Sequence, residues 1–431
     1  MARRMRTGRQ PDGSQVLPAD NHRLPMESWE AAPSHPATGF ARSIRSSGSR
    51  GANVGHQTLT NARIVAGPAI FLGTVHLAGD RISAVDPGRS GISSALDFEG
   101  DFLLPGLIDV HTDNLERHLE PRPQVVWPGL PALLAHDRQV VAAGVTTVFD
   151  ALCIGDRHRG CARPGAALSE ALGAMERAQR DGLLKAEHLL HARCEVSTDA
   201  VVEAFAGLID DPLVSLVSLM DHSPGARQWC DLDRWRHGVR IKATDEELAA
   251  IFERRRQFPE ERKDAARGEL AHLALGRGIP LASHDDATAH HVREAAALGV
   301  SISEFPTTRE AAAAARAAGM RVVMGAPNVV LGASHAGNVS ARALAADGLV
   351  DGLASDYVPM SLIEACFILH QRLGIPLPAA VATVTTHPAT MLGLADRGEI
   401  AAGRRADLMR VRVYEHMPIV TSVWRGGQRV L

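Results

Sequence analysis

Residues 103–116 read LLPGLIDVHTDNLE, an apolar run that ends in His111-Thr112-Asp113. On a strand, residues i and i+2 share a face, so His111 and Asp113 can reach one point in space. An imidazole with a carboxylate is an ordinary ligand pair for a divalent transition metal. A strand end carrying solvated polar groups would look the same in isolation, so the rest of the chain has to decide.

Further apolar stretches end in residues of the same kind. One delivers Arg193 and Glu195, two apart and so on one face; the next ends in Asp221-His222. Others end in Ser283-His284-Asp285-Asp286, in Glu304, in Pro327-Asn328 and in Ser355-Asp356-Tyr357. Carboxylates gathered without a cation would repel one another, and burying them unpaired would be costly. One or two divalent metals remove that conflict.

The elements that must position these residues alternate. Strands are predicted at 103–111, 145–152, 187–195, 213–222, 279–284, 299–305, 321–327 and 351–356. Ala-rich helices are predicted at 131–143, 166–181, 266–277, 287–298, 309–319 and 339–347. Eight alternating units predict an α/β fold of the (β/α)8 type, a TIM-like barrel, with its active residues at the C-terminal strand ends. The charged stretch 228–265 reads as a helical insertion that could act as a lid. Short alternating runs closed by Gly, Asn or Asp-Pro fill residues 57–102, where they read as a small antiparallel sheet, and return in 386–431. These two parts are expected to pair into a small β-sandwich beside a barrel of residues 103–385. Residues 1–56, rich in Arg, Ser, Pro and Gly, are expected to form a disordered tail.

Composition excludes several classes. The 431 residues are 45% hydrophobic and 22% charged, ordinary for a globular chain. A formal net charge of −3 provides no field for nucleic acid or a membrane surface. The five cysteines, Cys153, Cys161, Cys194, Cys230 and Cys366, form no CxxC pair, which fits a reducing, cytoplasmic setting. No stretch approaches the roughly 18 apolar residues of a membrane span. The basic start, MARRMRTGRQ, leads into no apolar segment of a secretory signal.

The order of these features resembles the amidohydrolase superfamily: a first-strand pair like HxH, later acidic and His ligands, and a last-strand Asp. GEIAAGRRADLMRV near the C-terminus is similar to that superfamily's small β-sandwich. Longer strings are more specific. LLPGLIDVHTDNLE, RPQVVWP, GVTTVFDA, LHARCE, LVSLMDHSPGARQ, LASHDDAT, EFPTT, MGAPNVV, SHAGNVSA and LASDYVP follow in order along the chain, within a resemblance that covers about residues 57–431. They resemble, within the superfamily, the ribosyl 5-triphosphate diphosphatases of the carbon–phosphorus lyase pathway. That resemblance implies a metal-dependent hydrolase converting alpha-D-ribose 1-methylphosphonate 5-triphosphate to the 5-phosphate and pyrophosphate. It implies zinc, with manganese or iron as alternatives, as one or two ions. His111 and Asp113 would hold one metal, and His222 and His284 would supply the later imidazoles. Asp356 would be both a ligand and the group that takes a proton from water. Glu195 is taken as the bridging ligand, with Glu304 as its competitor. Asp113 stands where the superfamily usually has a second His.

A triphosphate needs concentrated positive charge or aligned N–H donors. There is no GxxxxGK[ST] loop and no GxGxxG after a strand. The candidates are Arg122, Arg193, Arg227, Lys242 and His335, each of which could equally be half of an ion pair. For Arg193 the competing partner is Glu195. The turn holding His335 and Asn338 precedes a helix, as does Thr307-Thr308; either could cap the helix or donate to phosphate. Asn328 and Asp285 complete the set, Asp285 by contacting ribose hydroxyls or orienting His284. A small-molecule substrate is expected, with homo-oligomerisation left open. Hydrolysis of a cyclic or linear amide on the same barrel is the second reading, and a non-catalytic scaffold the third.

Overall fold

The computed structural model describes residues 55–122, 125–155, 166–224, 227, 244–334 and 336–431. The expected tail up to residue 54, much of the insertion, Lys242 and His335 lie outside the described residues.

Five strands come first: β1 (Gln57–Ala66), β2 (Ala69–Ala78), β3 (Arg81–Pro87), β4 (Leu96–Asp97) and β5 (Phe102–Pro105). Eight more run parallel and bond in chain order. They are β6 (Leu107–Thr112), β7 (Val145–Ile154), β8 (Glu187–Glu195), β9 (Val214–Met220), β10 (Leu281–His284), β11 (Ile302–Glu304), β12 (Arg321–Gly325) and β13 (Gly352–Ala354). The helices begin with α1 (Asn114–Leu119), α2 (Gly129–Ala142), α3 (Ala166–Arg180) and α4 (Val201–Ala206). They continue with α5 (Asp245–Arg256), α6 (Glu260–Gly276), α7 (Ala289–Ala297), α8 (Arg309–Ala317) and α9 (Ala326–Leu331). The last are α10 (Ala341–Ala346), α11 (Ser361–Leu373), α12 (Leu377–Ala382) and α13 (Thr386–Met391). Strands β14 (Leu408–Tyr414), β15 (Met417–Arg425) and β16 (Gln428–Arg429) complete the terminal sheet, ordered β16-β15-β14-β5-β1-β2-β3 with β4 on β1.

Parallel strands covered by helices are buried on both faces, and β6 and β7 are accordingly buried almost throughout, their polar residues included. Inside the barrel, Ile108, Phe149, Leu189, Leu216, Ile302 and Val323 form the floor beneath the mouth. The terminal sheet encloses its own core of Leu59, Ile64, Val75, Phe98, Leu103 and Trp424.

The seam of the barrel is built unevenly. At the lower end Thr383-Val384 stands between the first and last strands: Leu353 N donates to Thr383 O at 3.0 Å and Ile108 N to Val384 O at 2.9 Å. At the mouth the two strands meet directly. Asp356 N donates to His111 O at 3.0 Å, and Asp113 N to Asp356 O at 2.8 Å. The last strand end is therefore sewn to the first at the three residues expected to do chemistry.

Three local expectations change. The stretch 103–111 divides at Gly106, where a Cβ would lie 2.4 Å from Thr146 Oγ1, closer than any side chain allows. Residues before it pair with β1 and β14 in the terminal sheet, and only those after it enter the barrel. The terminal sheet is mixed and not antiparallel throughout, because β4 and β5 lie parallel to β1. The predicted strand 321–327 stops at Gly325, so Pro327 and Asn328 sit on α9, where Pro is tolerated in the first turn.

Candidate metal centre and active site

Strand pleat decides which residues face the barrel axis. On β8 the floor residue Leu189 sets the parity, and His191, Arg193 and Glu195 follow on the same face. Ala282 is likewise followed by His284, Ile302 by Glu304 and Ala354 by Asp356. His111 departs from parity, since Val110 belongs to the floor. The β6–β7 register slips between Asp109 and Thr112, and such a bulge re-aims a side chain.

Glu304 lies at the centre. Its Oε1 is 2.8 Å from His111 Nδ1. Its Oε2 is 3.8 Å from His191 Nε2 and 3.7 Å from His284 Nε2. A second group adjoins it: Asp285 Oδ2 is 2.8 Å from His284 Nδ1 and 3.6 Å from His222 Nε2. Within each trio, His111–His284–Glu304 and His222–His284–Asp285, the candidate ligand atoms lie within 4.8 Å of one another, and His284 is common to both.

Glu195, expected to bridge, is elsewhere. Its Oε2 bonds His222 Nδ1 at 2.8 Å, while its Oε1 takes Ser197 Oγ at 2.5 Å and His222 N at 3.2 Å. Both oxygens are occupied at the ends of β8 and β9, where Glu195 orients His222, and it is Glu304 whose two oxygens face His111, His191 and His284. Asp113 stands just beyond the end of β6, where the i, i+2 relation no longer applies; it precedes α1 and is not in either trio. His191 is the residue that the sequence reading missed. Its signal was available in LHARCE, where it precedes Arg193 and Glu195 at the same spacing of two.

The donor set fits a divalent cation. His191 Nε2, His284 Nε2, Glu304 Oε2 and Asp113 Oδ1 are buried with no hydrogen-bond partner. Buried polar atoms normally have one, and nitrogen and carboxylate oxygen aimed at a shared space are what such an ion requires.

Electrostatics divide the imidazoles. Burial holds His111 well below its usual range, and burial also pushes His191 down to about 3 against the pull of Glu304. Both are neutral and can offer lone pairs. Burial acts on His222 in the same direction, but its bonds to Asp285 and Glu195 outweigh it and carry the ring up to about 9. Burial pushes the Asp356 carboxyl up to about 8, with Asp113 adding to the effect and Arg193 opposing it. Asp285, Phe305 and Asp356 have φ of +59°, +54° and +57°, so three strand ends around one point carry backbone strain of the kind found at functional sites.

The phosphate candidates separate. Arg227 is committed to Asp286 and to the carbonyl of His284. Arg122 is exposed in the loop after α1. Thr307 is tied to the backbone of Asp286, and Thr308 caps α8. Asn328 uses both ends of its amide within the fold, on Val339 O and Ala341 N at 3.0 Å each. Asn338 lines a cavity at the mouth with Phe305, Pro306, Ser334, Asp356 and Tyr357. Arg193 is 6% exposed, reaches only Met220 Sδ with its Nε at 3.2 Å, and forms no salt bridge to Glu195 or to any other described residue.

A different polar cluster lies between sheet and helices, on the face of β7 opposite to Phe149. His136 Nε2 and His188 Nδ1 each lie 2.7 Å from one oxygen of Asp150, and His188 Nε2 is 3.2 Å from Asp137 Oδ1. Asn114 donates to His136 Nδ1 at 2.9 Å, so the ring nitrogens here are satisfied by the protein.

Comparison with known proteins gives consistent matches. The amidohydrolase family profile matches residues 237–430. Over 376 residues, 86% of this chain and 99% of the other, the sequence is 43% identical to the alpha-D-ribose 1-methylphosphonate 5-triphosphate diphosphatase of Escherichia coli (strain K12). A dihydroorotase of Methanopyrus kandleri matches at 39% over 85 residues, 16% of this chain and 20% of that one. Two solved structures are similar in fold. The N-acetylglucosamine-6-phosphate deacetylase of Pasteurella multocida has a TM-score of 0.57 at 14% identity, covering 87% of this chain and 99% of its own. The 5-methylcytosine deaminase of Klebsiella pneumoniae liganded with 5-fluorocytosine has 0.61 at 15%, covering 87% and 97%. At those identities the likeness concerns the fold alone.

Proposed function

Because this chain belongs to the amidohydrolases, and within them to the alpha-D-ribose 1-methylphosphonate 5-triphosphate diphosphatase family, it is a hydrolase, and we propose that His111, His191, His284, Glu304 and Asp356 form its reaction centre. The reaction adds water at the alpha phosphorus of the ribosyl 5-triphosphate and yields the 5-phosphate and pyrophosphate. What supports this siting is the gathering of unbonded imidazole nitrogens and a carboxylate around Glu304 at the barrel mouth.

His111, His191, His284 and Glu304 would hold one divalent cation, and His222, on giving up its ring proton, would hold a second with Asp285 and the shared His284. Zinc suits the mixed nitrogen and oxygen donors, with manganese or iron as alternatives. A cation there lowers the pKa of water and offsets charge on phosphoryl oxygens. Glu195 fixes the ring of His222 through Nδ1, which leaves Nε2 turned to the site. Asp113 adds a buried, unbonded carboxylate oxygen beside the same space. Asp356, at the seam, accepts the proton of the attacking water.

Among the described residues no helix is long and apolar enough to cross a membrane. The free thiols Cys194 and Cys366 suit the cytoplasm. Parallel assays on a ribosyl 5-triphosphate and on a cyclic amide test the proposal. Turnover of the triphosphate is expected, lost on chelation and restored by the added ion, with the amide untouched. The reverse pattern would assign the centre to amide hydrolysis.

A further inference from the structure

A buried guanidinium with no counterion is costly, so its place in a fold needs an explanation. Arg193 is such a group. It lies on the barrel-facing side of β8, 6% exposed, with Nη1 bonded to nothing and with no carboxylate in ion-pair range among the described residues. Glu195, two residues on, is turned to His222 and Ser197. Asp113, Glu304 and Asp356 are close enough for their charges to favour the cation, so Arg193 borders the reaction centre without being neutralised by any one of them.

The opposite side of the mouth has the converse character. In strand order β8 and β12 lie four places apart, which sets them across the barrel. The cavity over β11 to β13 is lined by Phe305, Pro306, Ser334, Asn338 and Tyr357 beside the carboxylates of Asp285 and Asp356. Among the described residues that line it there is no Arg or Lys. A chain of phosphates entering that cavity would meet two carboxylates and no positive charge, whereas a sugar would meet hydroxyl, amide and ring surfaces.

We infer that the substrate lies across the mouth, its sugar in the cavity over β11 to β13 and its leaving pyrophosphate against Arg193. This rests on the proposed hydrolysis and adds the direction of the substrate and a catalytic residue. With the alpha phosphorus at the centre, the leaving oxygen points to β8. There Arg193 meets the charge that builds as the P–O bond breaks and that ends on pyrophosphate.

The test uses metal-loaded Arg193→Met and Arg193→Lys proteins. Each is assayed on the ribosyl 5-triphosphate and on the same molecule shortened to the 5-diphosphate, with metal content and melting temperature measured alongside. Loss of a charge-assisted contact is expected to lower kcat/KM for the triphosphate roughly 10- to 100-fold. The shortened substrate should lose several-fold less, added guanidinium should restore part of the Arg193→Met rate, and Arg193→Lys should fall between. A wild-type rate in Arg193→Met, or equal losses on the two substrates, would overturn the inference. Should Arg193→Met fail to fold, Arg193→Lys carries the same comparison between substrates. Titration calorimetry with inorganic pyrophosphate, the metal being assayed afterwards, reads the contact in a protein that turns nothing over. At least tenfold weaker binding in the variant is expected, and unchanged binding would remove Arg193 from the leaving end. A wild-type protein inert toward ribosyl triphosphates would instead strike the proposed function and leave the pyrophosphate result standing by itself.

Discussion

His111 Nδ1 and Glu304 Oε1 lie 2.8 Å apart across 193 residues of chain, each side chain 1% exposed. The first and sixth strands of the barrel thus meet at their ends in an imidazole that burial keeps neutral and a carboxylate with one oxygen still unbonded. Glu304→Gln replaces that oxygen with an amide and should lower bound metal and turnover together. Glu195→Gln loosens only the support of His222 and should keep most of the metal. Elemental analysis of the two purified variants decides between them. Full occupancy in Glu304→Gln with loss in Glu195→Gln would return the bridging role to Glu195.

Asp356 is joined to both His111 and Asp113 through its backbone, so its side chain is held where the seam opens onto the centre. Asp356→Asn preserves the shape and removes the basicity. Turnover should fall by roughly 10²–10⁴, the range for a lost general base, with substrate affinity changed much less. Metal measured in the same preparation separates its two possible duties. Full occupancy with a low rate marks a base, and low occupancy marks a ligand. An unchanged rate would exclude both.

The strand ends were legible because each apolar run closes in polar residues, which marked His284, Glu304 and Asp356; Arg193 and Glu195 could in addition be set on one face from their spacing of two. His111 with Asp113 obeyed the rule only in appearance, since a register slip aims the first and the second stands past the strand. Glu195 was misplaced because parity fixes a face and not a partner; only the folded turn after β9 shows His222 closing on it. The division of 103–111 was hidden for a similar reason. Gly106 reads as part of a turn, yet what demands glycine there is Thr146, forty residues on in sequence and in contact only in the fold. The cluster of His136, Asp150 and His188 could not be foreseen, because outward positions of a buried strand are expected to be apolar.

That cluster supplies a pH dependence. Burial disfavours the His188 cation, but Asp150 and Asp137 outweigh burial and raise its pKa to about 9. The folded value lies above the unfolded one of about 6.5. The stabilisation is therefore complete below about pH 6.5 and is lost as pH rises to 9 and beyond. His188→Gln should remove this alkaline slope. It should also destabilise the fold by about 3–5 kcal/mol, since the buried Asp150 loses its cation. Denaturant unfolding of both proteins between pH 6 and pH 10 measures the slopes. An undiminished slope in the variant would place its origin elsewhere.

In the proposed reaction the centre around Glu304 directs water to the alpha phosphorus, and pyrophosphate leaves. Turnover of a ribosyl 5-triphosphate by metal-loaded protein in ¹⁸O-labelled water, followed by phosphorus NMR and mass spectrometry, tests it most directly. The predicted result is pyrophosphate free of label and a 5-phosphate carrying one labelled oxygen. Orthophosphate as the released product, or label in the pyrophosphate, would contradict it.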